Sequence, residues 1–329
     1  MRSLRCSVAP SISAAWPPNL SPKGLTVLFD LGTVVIAAVL AAVLYPRLIT
    51  WLRAVRAGQV IQEELPDSHQ RKAGTPTGGG ILFVAVAILG GLLASLAGHT
   101  GAWPAVLALV AGGAIGLFDD VSKLRRGSIG IPARLKFPIQ LVVAIPVAWI
   151  ALDGQPLWWL PIAVIAVVGT ANAVNITDGM DGLAAGLSII AVAATVLFLP
   201  HAPAGEKAVG MALCGGLAAF LIFNRHPARV FMGDTGALAI GFALAAMAIQ
   251  QGMLLLLPIV GLVFVLETLS VIIQVAYFKA TGGKRVFPMT PIHYTFHHEG
   301  WSENRIALSF WAAGIASALV AVALVHIAG

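Results

Sequence analysis

The sequence predicts an all-α, polytopic membrane helix bundle of about ten transmembrane helices, and three observations lead there. Hydrophobic residues make up 58% of the 329 and charged residues only 10%, whereas a soluble domain carries roughly 25% charged residues. Apolar runs approaching the ~20 residues of a membrane-crossing helix recur from residue 25 to the end of the chain. The charged residues gather in the connections between those runs.

The runs lie at about 25–45, 79–97, 102–118, 136–151, 157–171, 182–199, 207–223, 236–250, 253–278 and 305–327. Glycine and proline inside them (Gly90, Gly91, Pro146, Gly215, Gly216) are tolerated in a membrane bundle, where small residues let helices approach closely. Residues 1–24 carry Arg2 and Arg5 but no apolar stretch, so they read as an N-terminal tail rather than a signal peptide. Residues 25–329 form a single transmembrane domain that carries all the chemistry.

Ten crossings place both termini on one side. All of the 20 Lys and Arg except Arg2, Arg5, Lys23 and Lys207 fall on the opposite side. Positively charged loops face the cytoplasm, which puts both termini outside. The net charge of +6 therefore reports topology, and no nucleic-acid partner is expected. Cys6 and Cys214 form neither a disulfide framework nor metal-ligand spacing. Most of the acids share the cytoplasmic side, so the working site is expected there.

Five segments on that face carry the candidate chemistry. At the end of the third run stands Gly116-Leu-Phe-Asp119-Asp120-Val-Ser-Lys123-Leu-Arg125-Arg126. Two carboxylates at a helix C-terminus each oppose its dipole by ~0.3–1 kcal/mol, and Lys123 and Arg125 offset part of that. The pair suits a hard-oxygen Mg²⁺ site or a general base held near one; a solvated helix end is the plainer alternative. Between the fifth and sixth runs lies Asn172-Ala-Val-Asn175-Ile-Thr-Asp178-Gly-Met-Asp181-Gly182. On a helical turn Asp178 and Asp181 share a face, and Asn172 and Asn175 repeat that spacing. Capping the sixth helix needs only Thr177 or Asp178, so four polar groups in ten residues point to binding.

The third segment, Asn224 to Gly236, holds Phe231 and Asp234. Asp234 is either an N-cap for the eighth run or, beside two other aspartate clusters, a metal ligand. The fourth, Ser68 to Gly80, contains Lys72 and Thr77 before three glycines; backbone N–H groups there could hold phosphate, although no Walker A pattern is present. The fifth, Pro288 to Trp301, contains His293, His297, His298 and Glu299. It lacks the His-Glu-x-x-His pattern of a zinc helix, which favours phosphate or substrate contact. Glu267 and Gln274 stand seven residues apart inside the ninth run, on nearly one helix face. A carboxylate there costs at least ~2.5 kcal/mol unless paired or hydrated, and a structural role and a substrate cavity both stay open.

Five aspartates on one face need cations, and phosphate substrates increase that need. A divalent ion with Lys72, Lys123 and Lys136 is the natural balance. Such a site suits phosphoryl transfer, where catalysis is largely positioning and charge neutralisation, between one lipid and one water-soluble reactant.

Asp119-Asp120-Val-Ser-Lys123, Asn172 to Gly182, Phe223-Asn224 through Asp234, and Ser68-His69 through Thr77 resemble the polyprenyl-phosphate N-acetylhexosamine-1-phosphate transferases. More narrowly, Pro66 through Thr77 and Met289-Thr-Pro-Ile-His293 with Gly300-Trp301-Ser302 are similar to the phospho-N-acetylmuramoyl-pentapeptide transferase (MraY) branch of that family. The resemblance implies a ten-span enzyme of the bacterial inner membrane with its active site on the cytoplasmic face. It implies undecaprenyl phosphate as acceptor, UDP-MurNAc-pentapeptide as donor, Mg²⁺ as cofactor, and UMP and lipid I as products of a step in peptidoglycan synthesis. By matching motif, Asp119 is the base on the lipid phosphate with Asp120 supporting it, Asp234 binds the metal, and His293 serves the phosphates. Lys72, Thr77, Lys123, Lys136, Asn172, Asn175, Asp178, Asp181 and Gln274 contact the substrates, with Phe231 stacking near uracil. The state of assembly is left open, a homodimer being one option.

Two positions depart from the family pattern. His293-Tyr294-Thr295 replaces three consecutive histidines, and Gly78 stands where the family usually has Met. Direct attack of the lipid phosphate and a covalent aspartyl route are both compatible with the motifs. The rival readings are a sister transferase using UDP-GlcNAc, a UBIA-type prenyltransferase, which would want a third aspartate after Asp119-Asp120, and a secondary transporter. A transporter would place ionisable groups at the midplane of two repeated halves.

Overall fold

A computed structural model describes residues 22–55, 74–126, 130–199 and 201–328. The tail expected over residues 1–24 lies almost wholly outside the described residues, as does Lys72. Among the described residues twelve α-helices follow one another: α1 Pro22–Ala54, α2 Gly80–Leu96, α3 Trp103–Arg126, α4 Ala133–Leu152, α5 Leu160–Thr177, α6 Leu183–Ala193, α7 Ala204–Asn224, α8 Gly233–Gln250, α9 Leu257–Val260, α10 Leu262–Ala280, α11 Ile292–His298 and α12 Glu303–Ala328. Eight helical segments are long and apolar enough to cross a membrane, and Gly80–Leu96 and Leu183–Phe198 are shorter apolar helices. Each of these segments overlaps one of the expected runs.

Several boundaries differ from expectation for physical reasons. Apolarity ends near residue 118, but α3 continues to Arg126, supported by an Asp119–Lys123 ion pair one turn apart. Asp119 and Asp120 thus sit on the helix. Likewise α5 runs to Thr177, which places Asn172 and Asn175 in its last turns. The run expected over 253–278 is interrupted. Pro258 starts the four-residue α9, Gly261 ends it, and α10 begins at Leu262.

The bundle is organised around α8, a helix of small residues (Gly-Asp-Thr-Gly-Ala-Leu-Ala-Ile-Gly) that is buried along nearly its whole length. Small side chains let α2, α3, α4 and α5 close on it. The closest approach is to α3. A Cβ on Gly112 would stand 2.6 Å from the Leu238 carbonyl oxygen, and one on Gly116 would collide with the Asp234 carbonyl. Outer helices instead turn large apolar side chains outward, such as Val35, Ile36 and Val39 of α1, Val142 and Ile145 of α4, and Leu319 and Val320 of α12. In water so much exposed apolar surface would be prohibitive; in lipid it is the expected exterior. Trp103, Trp149 and Trp158 lie exposed at the start of α3, the end of α4 and just before α5, one end of the bundle. Aromatic residues concentrate in this way at a membrane–water interface.

Candidate active site

The opposite end of the bundle collects the end of α3, the start of α4, the end of α5 and the start of α8. Asp119, 2% exposed, accepts from Lys123 Nζ at 2.9 Å and Lys136 Nζ at 3.3 Å. Its other oxygen takes the Ile131 amide at 2.5 Å. Asp234 accepts from the same two ammonium groups, Lys123 at 3.1 Å and Lys136 more closely still. Asn175 adds an amide donor at 3.1 Å. Two carboxylates from α3 and α8, far apart in sequence, therefore share two lysines in a crossed arrangement, with charges matched two for two.

Asp120 performs a different task. Its carboxylate accepts the backbone N–H groups of Asp234 and Thr235, both at 3.0 Å, and the Thr235 hydroxyl at 2.6 Å. It caps the N-terminus of α8 from a neighbouring helix, where a negative charge is favoured by unpaired amides and the helix dipole. The expected conflict of Asp120 with its own helix is thereby offset. The N-cap alternative for Asp234 does not hold, because α8 has no side-chain cap of its own. The Asp234 carboxylate is left for the lysines.

Thr77 lies beside this cap: a Cβ on Gly233 would stand 2.7 Å from Asp120 Oδ2 and 3.0 Å from the Thr77 hydroxyl. The glycines after it are not an open phosphate cradle. Gly79 and Gly80 donate their amides to the Phe231 and Met232 carbonyls at 2.8 and 2.9 Å, and Phe231 donates its own to Pro76 at 2.8 Å. This pairing spends those donors on holding Phe231, whose ring stays partly exposed, next to α8.

Asp178 ends α5, and the chain from Asp178 to Gly182 is a turn, with Gly182 at φ 75° opening α6. The expectation that Asp178 and Asp181 share a helical face is corrected for that reason. Asp178 stays near the Asp119–Asp234 cluster. Burial, reinforced by the charges of Asp234, Asp120 and Asp181, pushes its carboxyl well above the usual carboxylate range, with Lys123 opposing. Asp181 turns away instead. Its Oδ2 accepts His226 Nδ1 and the Ala228 amide at 3.0 Å each, and its amide donates to Glu303 Oε2 at 3.2 Å. The ligand atoms of Asp181, His226 and Glu303 lie within 4.8 Å of one another, yet both carboxylates already accept protein amides, so this cluster reads as a clamp between the turn and α12.

Asn172 donates to Gln140 Oε1 and to the Val168 carbonyl, both at 2.8 Å, bridging α5 to α4. Gln274 accepts the Val286 and Phe287 amides at 3.0 Å each. It lines a cleft of about 360 Å³ with Phe278, Lys279, Arg285 and Met289. His293 is fully buried, its Nδ1 3.0 Å from Glu267 Oε2. Glu267 thus has a pairing partner inside the protein, His293. Tyr294 donates its hydroxyl to the Gly179 carbonyl at 3.1 Å, and burial near Glu303, Asp178 and Glu267 raises its phenol to about 12. His297 contacts the Trp301 carbonyl at 3.1 Å, a local bond. Sequence reading missed His226, Glu303 and the Asn224 side chain, which joins the Gly182 amide to the Val230 carbonyl. Their partners are 6 to 122 residues away, and for all but the shortest of these spans no local spacing announces them.

A polytopic helical bundle with crossed Asp–Lys pairs at one end falls into the class of membrane-embedded glycosyl transferases, and residues 102–252 match Glycosyl transferase family 4. The phospho-N-acetylmuramoyl-pentapeptide-transferase of Heliobacterium modesticaldum is 41% identical over 309 residues, covering 88% of this chain and 96% of that protein. Those of Listeria monocytogenes serovar 1/2a (39% identity; 89% and 97% covered) and Shouchella clausii (43%; 86% and 93%) carry the same name. The chain belongs to the phospho-N-acetylmuramoyl-pentapeptide-transferase family.

Proposed function

We propose that the protein transfers phospho-MurNAc-pentapeptide from UDP-MurNAc-pentapeptide to undecaprenyl phosphate, releasing UMP and forming lipid I for peptidoglycan. The observation that carries the reading is the crossed set of Asp119, Lys123, Lys136 and Asp234. Family membership and the ordered motifs support the substrates. The bias of Lys and Arg supports a ten-span protein with both termini outside and this set at the cytoplasmic surface of a bacterial inner membrane.

The donor set suits Mg²⁺. The carboxylate oxygens of Asp119 and Asp234 would give the hard oxygens that ion prefers once the two lysines turn toward substrate phosphates. Asp234 is its proposed ligand, and the bound ion supplies charge neutralisation on the diphosphate. The remaining chemistry belongs to the chain. Asp119 takes the proton from the lipid phosphate, whose oxygen attacks the β-phosphorus directly. The new bond is lipid phosphate oxygen to phosphorus, the bond to the UMP oxygen breaks, and its electrons leave with UMP. Lys123 and Lys136 shift from the carboxylates toward the phosphates as negative charge arrives. Asp120 holds the start of α8, and hence Asp234, in register.

The test is turnover by purified protein with undecaprenyl phosphate, Mg²⁺ and either UDP-MurNAc-pentapeptide or UDP-GlcNAc, read as UMP. Release with the first donor and its dependence on Mg²⁺ are expected. Release with UDP-GlcNAc alone would overturn the assignment.

A further inference from the structure

Glu267 is a buried carboxylate for which the proposed chemistry has no task. It lies inside α10 and is fully buried, a placement that costs at least ~2.5 kcal/mol without a partner. Its partner is His293 Nδ1, and that ring is fully buried too. The ring packs on Tyr294 with centroids 4.2 Å apart, and Tyr294 is tied to the Gly179 carbonyl. Nε2, the other ring nitrogen, has no hydrogen-bond partner among the described residues, and neither has Glu267 Oε1. Nε2 faces Gly179, where a Cβ would stand only 2.6 Å away. Gly179 follows Asp178 in the turn beside the reaction cluster.

An unsatisfied buried group costs ~1–3 kcal/mol, so an orphan placed against the turn that follows Asp178 calls for a use. Here both members keep one orphan, and the imidazole's is directed at the substrate-side turn. We infer that Glu267 is a positioning residue for the proposed transfer: by accepting the Nδ1 proton it fixes the His293 ring and presents Nε2 to an oxygen of the transferred phosphate. Carboxylates orient metal-ligating histidines in this way, and losing such a partner typically lowers metal affinity or activity by about 10–100-fold; the same scale is taken for this pair. The inference rests on the proposed transferase reading.

A double-mutant cycle tests it, with Glu267→Gln, His293→Gln and the double variant compared for kcat and donor KM by UMP release, alongside thermal unfolding. In the wild-type background Glu267→Gln is expected to lower kcat by about 10–100-fold with KM within about twofold. In the His293→Gln background it adds no further loss, because the residue acts through the ring. Equal losses in both backgrounds, or an unchanged kcat, would overturn the inference. Should Glu267→Gln fail to fold, Glu267→Asp, which keeps the charge but retracts it, enters the same cycle with the same outcomes. Wild-type turnover is the internal control: an inactive wild type overturns both readings, whereas an active one with an additive cycle overturns only the role of Glu267.

Discussion

Carboxylates are buried near both ends of α8, and the two sites are built differently. Near its N-terminus, Asp119 and Asp234 share two ammonium groups, and Lys123 is 39% exposed on its open side. Near its C-terminus, Glu206 of α7 is fully buried and, among the described residues, accepts the Gln251 amide at 2.5 Å. Glu206 Oε2 and Gln251 Oε1 have no partner among the described residues. A carboxylate with matched cations and an opening can release those cations to an anionic substrate. One that shares a sealed space with an amide can only hold the bundle together. The contrast separates the proposed reaction centre from a structural polar contact without reference to either residue's identity.

The comparison can be broken by substitution. After loss of Asp119 or Asp234, the largest effect is expected for Gly116→Ala. Its Cβ would strike the Asp234 carbonyl, so α3 and α8 must part. Overpacking of this kind costs ~1–3 kcal/mol, and the displacement separates Asp119 from Asp234. Lower unfolding temperature together with lost UMP release is expected; normal activity would show that the two helices need no such contact. Next come the lysines. Lys136, 15% exposed, should matter more than Lys123 at 39%. Lys136→Met is expected to reduce kcat by about 10²-fold, the range for removing one preorganised charge donor, and Lys123→Met by less.

Asp178→Asn should weaken donor binding yet stabilise the substrate-free protein. The sign follows from the raised carboxyl. The folded state holds the Asp178 proton more tightly than the unfolded chain, so stability falls as pH rises above the ordinary value of 3.8 toward the raised one. The asparagine variant should lack that fall, as thermal unfolding across pH would show. The smallest effect is expected for Glu206→Gln. Its new amide can donate to the orphaned Gln251 oxygen, leaving turnover unchanged and the unfolding temperature equal or higher. A large loss of turnover would place chemistry at both ends and dissolve the contrast.

Local sequence made one half of the reaction cluster readable. Asp119, Lys123 and Asp234 announce themselves because a charged residue beside an apolar run needs a reason, and the ten runs follow from apolarity alone. The opposing half depends on packing. That Asp120 caps α8, that Lys136 bridges two helices and that Glu267 meets His293 all follow from how helices sit side by side. Spacing misled at Asp178 and Asp181, where Gly179 and Gly182 replace the assumed helical turn with a bend. It misled again at Gly79 and Gly80, whose amides serve Phe231 and Met232. Glycine marks a site of backbone freedom, but the sequence does not say whether a ligand or another segment of chain uses it.

The most direct measurement is UMP release from UDP-MurNAc-pentapeptide and undecaprenyl phosphate by Asp234→Asn at saturating Mg²⁺, beside wild type and Glu206→Gln. Asparagine keeps the shape of the side chain and removes the charge that faces both lysines. The crossed cluster predicts a loss of at least about 10²–10³-fold for Asp234→Asn, little recovered by further Mg²⁺, with Glu206→Gln at the wild-type rate. Turnover by Asp234→Asn within a few-fold of wild type would contradict it.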